Sequence, residues 1–559
     1  MVYHIDNQRQ AVARLLGLLL CAGLASADDA EFERQRKLFP AETIHEHIMI
    51  PMRDGIKLAT EVYRPPGTGT HPILLIRTPY SRFDKRVASG INQTPAPHYD
   101  FPFVAVCQNL RGVSDSEGPG RVDFIPEVED SYDTIEWLAK QPWSNGRVVM
   151  TGASGSGVAC AAAIFCKAPH LVAVFTHITG DDFSRHFGYY NCVKRYDYSW
   201  IEKLNRGKQP PEWPRPTTVP YNLAAREAFL TAAGKDNHVL AVFGTGWYDT
   251  QGEGAQDAFT ALMPQGKIWG SISNGGHGPV GGRPMQKLKS SAGPPSLSSN
   301  DVMKVLKGDV KIPTESVVRY ALMGDDLDPN APGNVMMTTK VWPVPSTPTA
   351  YYLNANHTLT VQQPTDAVPA LTYANDPRDP VKSIGGRYVQ GDKQSGPMDQ
   401  RPIKDRKDLL HFATGVLSEP VGITGTIAVD LAISTDVEDT LFVVNIVDIY
   451  PDGYEALIAG GPMMARYHQG FDKPAPIEKG KTYHLHFTLW GTAIVFNTGH
   501  RIGVYLSSSS DPAYEVHPNT FKPALSINDC KIANNTVHMS AAHASRIILP
   551  VIPKESYSK

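Results

Sequence analysis

Three things are scarce in this chain of 559 residues: cysteine, with six; net charge, at −3; and apolar runs long enough to span a membrane. Near neutrality gives no electrostatic reason to expect nucleic acid or an anionic membrane as partner. A spanning helix needs about 18 or more consecutive apolar residues, and the leading candidate, 15–24, falls short. The irregular cysteine spacing matches neither a disulfide framework nor a metal motif, so buried free thiols with at most one bridge are expected. Repeats, low-complexity tracts and long charge runs are absent too, which excludes solenoids and interaction tails. What remains is a globular composition, 42% hydrophobic and 19% charged, in a chain too long for one core, so two or more domains are expected.

Arg9 and Arg14 precede the apolar stretch 15–24, and Ala25-Ser26-Ala27 leads into Asp28-Asp29. A basic start, a short apolar centre and small residues before the cut describe a secretory signal cleaved after Ala27. A lipoprotein reading through Cys21 is second, because Leu20 stands where a small residue is wanted. The expected mature protein is secreted or periplasmic and keeps Cys107, Cys160, Cys166, Cys192 and Cys530. Intact-mass measurement of the exported protein should give residues 28–559; a mass that includes 1–27 would remove the signal.

Residues 44–64 are an expected hairpin around the turn Asp54-Gly55. Buried strands are expected at 73–76, 103–106, 171–176, 239–243 and 268–273, with one more entering Gly152. Helical periods lie between them: at 128–139, where Val128, Tyr132, Ile135 and Leu138 recur, at 158–167 and at 255–263. This alternation argues for a mostly parallel sheet covered on both faces. Aromatic residues from Tyr189 to Trp200 and the prolines of 210–220 interrupt it, so about 182–236 is expected to be an inserted, partly helical cap. Beyond about residue 340, alternating runs at 424–433, 441–450, 483–489 and 502–507 lie between Pro, Gly and Asp turns. The expected architecture is an α/β-hydrolase fold over 28–340, followed by an all-β jelly-roll sandwich over 341–559.

The chemistry centres on Asn145-Gly146-Arg147-Val148-Val149-Met150-Thr151-Gly152-Ala153-Ser154-Gly155-Ser156-Gly157. A β-branched run, a turn of nothing larger than Ala and Ser, and an Ala-rich helix form a strand-turn-helix that can hold one serine hydroxyl above the sheet. The pattern is G-x-S-x-x-G rather than G-x-S-x-G, because Ser156 follows Gly155. Two later strands deliver Asp249 and His277, in the chain order expected of such a hydrolase. Serine is a poor nucleophile until an imidazole takes its proton, and a carboxylate must fix that imidazole's tautomer. The Gly155 amide is the first oxyanion donor expected, and Tyr80 in Thr78-Pro79-Tyr80 is the second. On spacing alone Tyr80 could equally be an aromatic packed under the cap. His484 and His486 share a strand face, yet no third ligand is evident; they are expected to be surface residues and no metal is expected.

Many motifs together resemble one family. They are Met52-Arg53-Asp54-Gly55, Arg77-Thr78-Pro79-Tyr80, Leu110-Arg111-Gly112, Tyr132-Asp133-Thr134-Ile135-Glu136-Trp137, Gln141-Pro142-Trp143-Ser144-Asn145-Gly146, Gly246-Trp247-Tyr248-Asp249, Tyr450-Pro451-Asp452-Gly453, Gly499-His500-Arg501-Ile502 and His517-Pro518-Asn519-Thr520. The chain resembles the cocaine esterase, α-amino-acid ester hydrolase and X-Pro dipeptidyl-peptidase group over nearly its whole mature length. The resemblance implies Ser154, Asp249 and His277 as triad, Tyr80 and the Gly155 amide as oxyanion hole, and Asp181, Asp182 and Trp247 at the substrate. The group's elbow has an aromatic after the serine; Gly155 here implies a wider or differently shaped acyl pocket. Of the carboxylates that bind a substrate ammonium in the α-amino-acid ester hydrolases, Gly180-Asp181-Asp182 matches one part. The other is missing after Asp249, with Glu253 the nearest acid. Without a ligand, Asp181 and Asp182 would simply cap a loop.

The expectation is an exported serine hydrolase acting on a small-molecule ester or amide, without cofactor, nucleic acid or membrane span. Homo-oligomerisation is compatible with it. An aminoacyl-specific hydrolase or X-Pro dipeptidyl-peptidase is the second enzymatic reading. A catalytically silent glycan- or polymer-binding protein is the reading from another class.

Overall fold

The protein is described from a computed structural model. It describes residues 37, 39–80, 103–119, 124–180, 189–195, 235, 237–283, 288, 301–310, 315–365, 368–387, 395–522 and 527–557. The expected signal, Asp181, Asp182 and most of the expected cap lie outside these residues.

The first twelve strands are β1 (Ile44–Pro51), β2 (Lys57–Arg64), β3 (His71–Thr78), β4 (Val104–Asn109), β5 (Ser144–Ala153), β6 (Leu171–His177), β7 (Tyr189–Tyr190), β8 (Val193–Lys194), β9 (Leu240–Tyr248), β10 (Ile268–Gly276), β11 (Val317–Leu322) and β12 (Val335–Thr339). Ten of them form one sheet in the order β1-β2-β4-β3-β5-β6-β9-β10-β11-β12, while β7 and β8 make a separate hairpin. From β4 to β11 every neighbouring pair is parallel. The helices are α1 (Phe124–Ala139), α2 (Gly155–Phe165), α3 (Gly252–Leu262) and α4 (Val302–Lys307).

Successive side chains on a strand face opposite ways, and here both faces are covered. Ile73, Leu75, Val148 and Met150 join the core with Ile135 and Leu138 of α1 and Ala159 and Ile164 of α2. Leu74, Val149 and Phe175 pack instead with Val302, Val305 and Leu306 of α4. Burial on two faces is why residues 73–76 are uniformly apolar rather than alternating. Each such side chain, fully buried, stabilises by roughly 1.5–3 kcal/mol.

The rest of the chain is the expected all-β unit. Its strands are β13 (Thr347–Leu353), β14 (Leu359–Thr360), β15 (Leu371–Asn375), β16 (Leu409–Ala413), β17 (Val421–Gly425), β18 (Ala428–Thr435), β19 (Leu441–Ile449), β20 (Glu455–Met464), β21 (Tyr483–Thr488), β22 (Thr492–Phe496), β23 (Arg501–Ser507), β24 (Ala533–His538) and β25 (Arg546–Val551), with a short helix α5 (Arg401–Lys404) before β16. They form a nine-stranded sheet and a four-stranded one ordered β16-β23-β19-β20. The run 424–433, expected as one strand, is split between β17 and β18 where Gly425 takes φ 123°. Gly460-Gly461-Pro462 resembles a turn but lies inside β20, which an edge strand tolerates because the missing proline N–H interrupts no ladder.

The two units share one core. The Met323 amide donates to Ala493 O at 3.0 Å and the Val495 amide to Met323 O at 2.9 Å. Tyr248, at the end of β9, donates its hydroxyl to Leu457 O of the sandwich at 3.0 Å.

Inside the sandwich, Glu455 is buried against Lys404, His411 Nε2 at 3.2 Å and the Tyr505 hydroxyl at 2.5 Å. Burial alone would raise its carboxyl, but His411, Lys404 and Tyr505 outweigh it and bring the pKa down to about 2. A folded pKa below the unfolded one adds stability that is complete above the unfolded value and lost as pH falls through the folded one. Glu455→Gln is expected to cost about 3 kcal/mol at neutral pH. Urea unfolding should show that difference shrinking between about pH 5 and pH 2; a difference independent of pH would refute it.

Candidate active site

β5 runs into Ser154, whose backbone lies at φ 54°, ψ −125°, and α2 begins at the next residue. A serine at positive φ is strained by about 1–3 kcal/mol and persists only where its surroundings hold it. Here the Ser154 amide donates to His177 O at 3.1 Å, and the Val158 amide and Thr179 Oγ1 donate to Ser154 O at 3.2 and 3.1 Å. The small flanks are required by close approach: a Cβ on Gly152 would lie 2.6 Å from Ser156 O, and one on Gly157 would lie 2.6 Å from Thr179 Cβ. Every residue of α2 is buried, which accounts for its alanine-rich sequence.

Asp249 follows β9 and His277 follows β10, both at the carboxyl edge where Ser154 stands. Ser154 Oγ is 2.8 Å from His277 Nε2, and His277 Nδ1 is 3.0 Å from Asp249 Oδ1. Asp249 is fully buried and also accepts from the Gln251 amide at 3.0 Å and from Thr245 Oγ1 at 3.3 Å. Its burial favours the neutral acid. The His277 charge and hydrogen bond, the Gln251 amide and the Arg387 charge overcome that and hold the carboxyl below its ordinary value. Thr245 and Gln251 were not anticipated from sequence, since neither residue type signals a carboxylate partner.

Tyr80 sits over the same hydroxyl. Its phenol donates to Ser154 Oγ at 3.3 Å and receives the Gly155 amide at 3.2 Å. The Asn109 side chain donates to Tyr80 O at 2.5 Å, and Thr78 Oγ1 accepts from the Tyr80 amide at 3.1 Å. Arg77 beneath is wholly buried, bonded to Gln108 at 2.6 Å and paired with Glu127 at 2.8 Å. The rival serine is occupied, because Ser156 Oγ donates to Thr78 Oγ1 at 2.9 Å and is buried.

Two expectations change. Trp247 does not face a substrate: it is 1% exposed and its Nε1 donates to Ala321 O at 2.7 Å, because the end of β9 directs it into the core beside β11. Nor does Gly155 open a wider pocket at its own position. A Cβ there would meet Pro79 Cγ at 2.7 Å and the Tyr80 hydroxyl at 2.9 Å, so the absent side chain's place is already filled. Gly155→Ala should therefore push the phenol off Ser154 and lower kcat by about 100-fold. Steady-state kinetics near wild type would show that Tyr80 gives way without loss. Glu253, the nearest acid after Asp249, pairs with the Arg387 guanidinium and accepts from the Gly491 amide at 3.1 Å, in keeping with the missing second part of an ammonium site.

His484 and His486 are exposed, and the fold brings His543 Nδ1 within 3.3 Å of His484 Nε2. Among the described residues no group of three or more His, Cys, Asp or Glu is arranged to hold a metal. The five described cysteines are free thiols, and Cys107, Cys160 and Cys166 are buried. No described helix is long and apolar enough to cross a membrane.

Comparison with known proteins agrees with this architecture. Residues 54–200 match the X-Pro dipeptidyl-peptidase (S15) family, and residues 314–548 match the X-Pro dipeptidyl-peptidase C-terminal non-catalytic domain. The chain is 27% identical to cocaine esterase of Rhodococcus sp. (strain MB1 Bresler) over 580 aligned residues, covering 92% of this chain and 99% of that one. Its fold is similar to an aminopeptidase from a marine sediment Thaumarchaeota archaeon, with TM-score 0.71, 22% identity, and 92% and 97% of the two chains covered. It is also similar to an α-amino acid ester hydrolase, with TM-score 0.70, 22% identity, and 91% and 97% covered. The chain is a serine hydrolase and belongs to the cocaine esterase, α-amino-acid ester hydrolase and X-Pro dipeptidyl-peptidase family of α/β-hydrolases.

Proposed function

We propose that the protein hydrolyses small carboxylic esters through an acyl-Ser154 intermediate. The observation that carries this is the unbroken chain of contacts Asp249–His277–Ser154, at 3.0 and 2.8 Å, beneath the Tyr80 hydroxyl. With Nδ1–H given to Asp249, His277 Nε2 keeps its lone pair and accepts the proton as Ser154 Oγ bonds to the carbonyl carbon. The oxyanion lies against the Tyr80 hydroxyl and the Gly155 amide, which are 3.2 Å apart and so can meet one oxygen. Collapse expels the alcohol with the proton from His277, leaving the acyl group on Ser154. Water repeats the sequence: His277 takes its proton, the hydroxyl adds to the acyl carbon, and Ser154 leaves protonated with the acid released. No step calls for a cofactor.

An ester without a free α-ammonium is favoured because Glu253, the nearest acid after Asp249, is committed to Arg387 and the Gly491 amide. A panel of p-nitrophenyl acyl esters, α-amino esters and X-Pro anilides tests the assignment. Simple acyl esters should give the highest kcat/KM. A preference for α-amino esters that disappears in Asp182→Asn would transfer the assignment to the aminoacyl class. The protein is proposed to act outside the cytoplasm, on the strength of residues 1–27.

A further inference from the structure

The loop that follows His277 is held by the sandwich rather than by its own sheet. Gly278-Pro279-Val280-Gly281-Gly282-Arg283 runs beside residues 395–397, with Val280 and Ser395 paired in parallel. The Ser395 amide donates to Pro279 O at 3.2 Å, the Gly281 amide to Ser395 O at 2.9 Å, and the Arg283 amide to Pro397 O at 3.2 Å. The approach leaves no room for a side chain at position 282, where a Cβ would lie 2.3 Å from Pro397 O.

Arg283 closes the arrangement. Its Nη1 is 2.7 Å from Asp452 Oδ2, and its guanidinium lies 4.5 Å over the Tyr454 ring and 5.5 Å from the Tyr450 ring. All three partners belong to the turn joining β19 to β20. That turn is itself rigid: the Tyr454 amide donates to Asp452 Oδ1 at 3.0 Å, and the Tyr454 hydroxyl to Pro397 O at 3.1 Å. The ion pair is partly exposed, so it adds little to global stability. What it fixes is where the chain goes six residues after the imidazole. A fixed fork stacked on two rings and bonded to a carboxylate gives one orientation, which an ammonium could not reproduce.

Resting on the triad reading above, we propose that Arg283 is a positioning residue for the hydrolysis. Clasped by Asp452, Tyr450 and Tyr454, it keeps the loop after His277 in the register that places the imidazole between Ser154 and Asp249. The sandwich domain thereby takes part in catalysis from a distance.

The test uses the full chain with Arg283→Ala, Arg283→Lys, Asp452→Asn and the double variant Arg283→Ala/Asp452→Asn. Misplacing a catalytic group by about 1 Å costs about 100-fold. Arg283→Ala is therefore expected to lower kcat by about 10- to 100-fold with KM within about threefold, and to slow fluorophosphonate labelling in parallel. Arg283→Lys should recover only part of the rate, and the double variant should lose no more than the worse single, because both act through one contact. Arg378→Ala, which breaks an exposed pair with Asp376, is the control and should match wild type. A folded Arg283→Ala with kcat within twofold of wild type would overturn the proposal, as would losses from Arg283 and Asp452 that multiply. If Arg283→Ala does not fold, Asp452→Asn decides by the same kcat and KM criteria. Full activity in Ser154→Ala would reject the triad itself, whereas an inactive Ser154→Ala beside an unaffected Arg283→Ala rejects only the clasp.

Discussion

Ser154→Ala is expected to lower kcat on an acyl ester by about 10⁶-fold, because Ser154 Oγ is the hydroxyl that lies 2.8 Å from His277 Nε2 and would be deprotonated by it. Covalent labelling by a fluorophosphonate should vanish with it. Ser156→Ala should keep the label, since the Ser156 hydroxyl donates to Thr78 Oγ1 at 2.9 Å and does not face His277. The experiment also separates classes of function: a silent binding protein would show neither turnover nor label in the wild type. If Ser156→Ala lost the label and Ser154→Ala retained it, the elbow would be out of register by two residues and the contacts at 154 would be incidental.

Asp249→Asn is expected to lower kcat by about 10⁴-fold with little change in KM. The volume is nearly conserved, so the side chain should stay in its fully buried place. What changes is the proton inventory around it. Asp249 now accepts from His277 Nδ1 and from the Gln251 amide on one oxygen, and from Thr245 on the other. An amide there can turn its NH₂ toward Nδ1, which leaves the proton on Nε2 and the lone pair facing away from Ser154. In the proposed acylation the carboxylate also balances the imidazolium, which a neutral amide would not. Because His277, Gln251 and Arg387 hold the Asp249 carboxyl below its usual pKa, the wild type keeps this charge on mild acidification. Linkage gives the same sign: that carboxylate stabilises the fold above its unfolded pKa and is lost only as pH falls through the lower folded value. An Asp249→Asn variant within tenfold of wild type would mean that another group orients His277.

Much of the catalytic unit was legible in the chain. Runs such as 73–76 are continuous because their strands are buried on both faces, and Val128, Tyr132, Ile135 and Leu138 recur because α1 covers one of them. Ser154 was legible because a strained turn tolerates only small neighbours, and two of those neighbours, Gly152 and Gly157, have backbone or side chains where a Cβ would go. Trp247 is misplaced because an aromatic beside the aspartate proposed to orient His277 fits a pocket wall as well as a core, and residue type carries no direction. A missing side chain implies space only if nothing else moves in, and at Gly155 Pro79 and Tyr80 occupy the place of the Cβ, so what fails is the wider pocket at that position and not the differently shaped one.

By itself the sequence determined the order of strands and helices, the identity of the strained serine and the residue types available to take its proton. These depend on local periodicity, turn chemistry and volume, which act over a few residues. The tertiary structure alone decided that Glu253 answers Arg387 across the domain boundary, and that the loop after His277 is clasped by a turn some 170 positions later. Such pairings depend on how two sheets dock around a shared core, and no spacing along the chain encodes them.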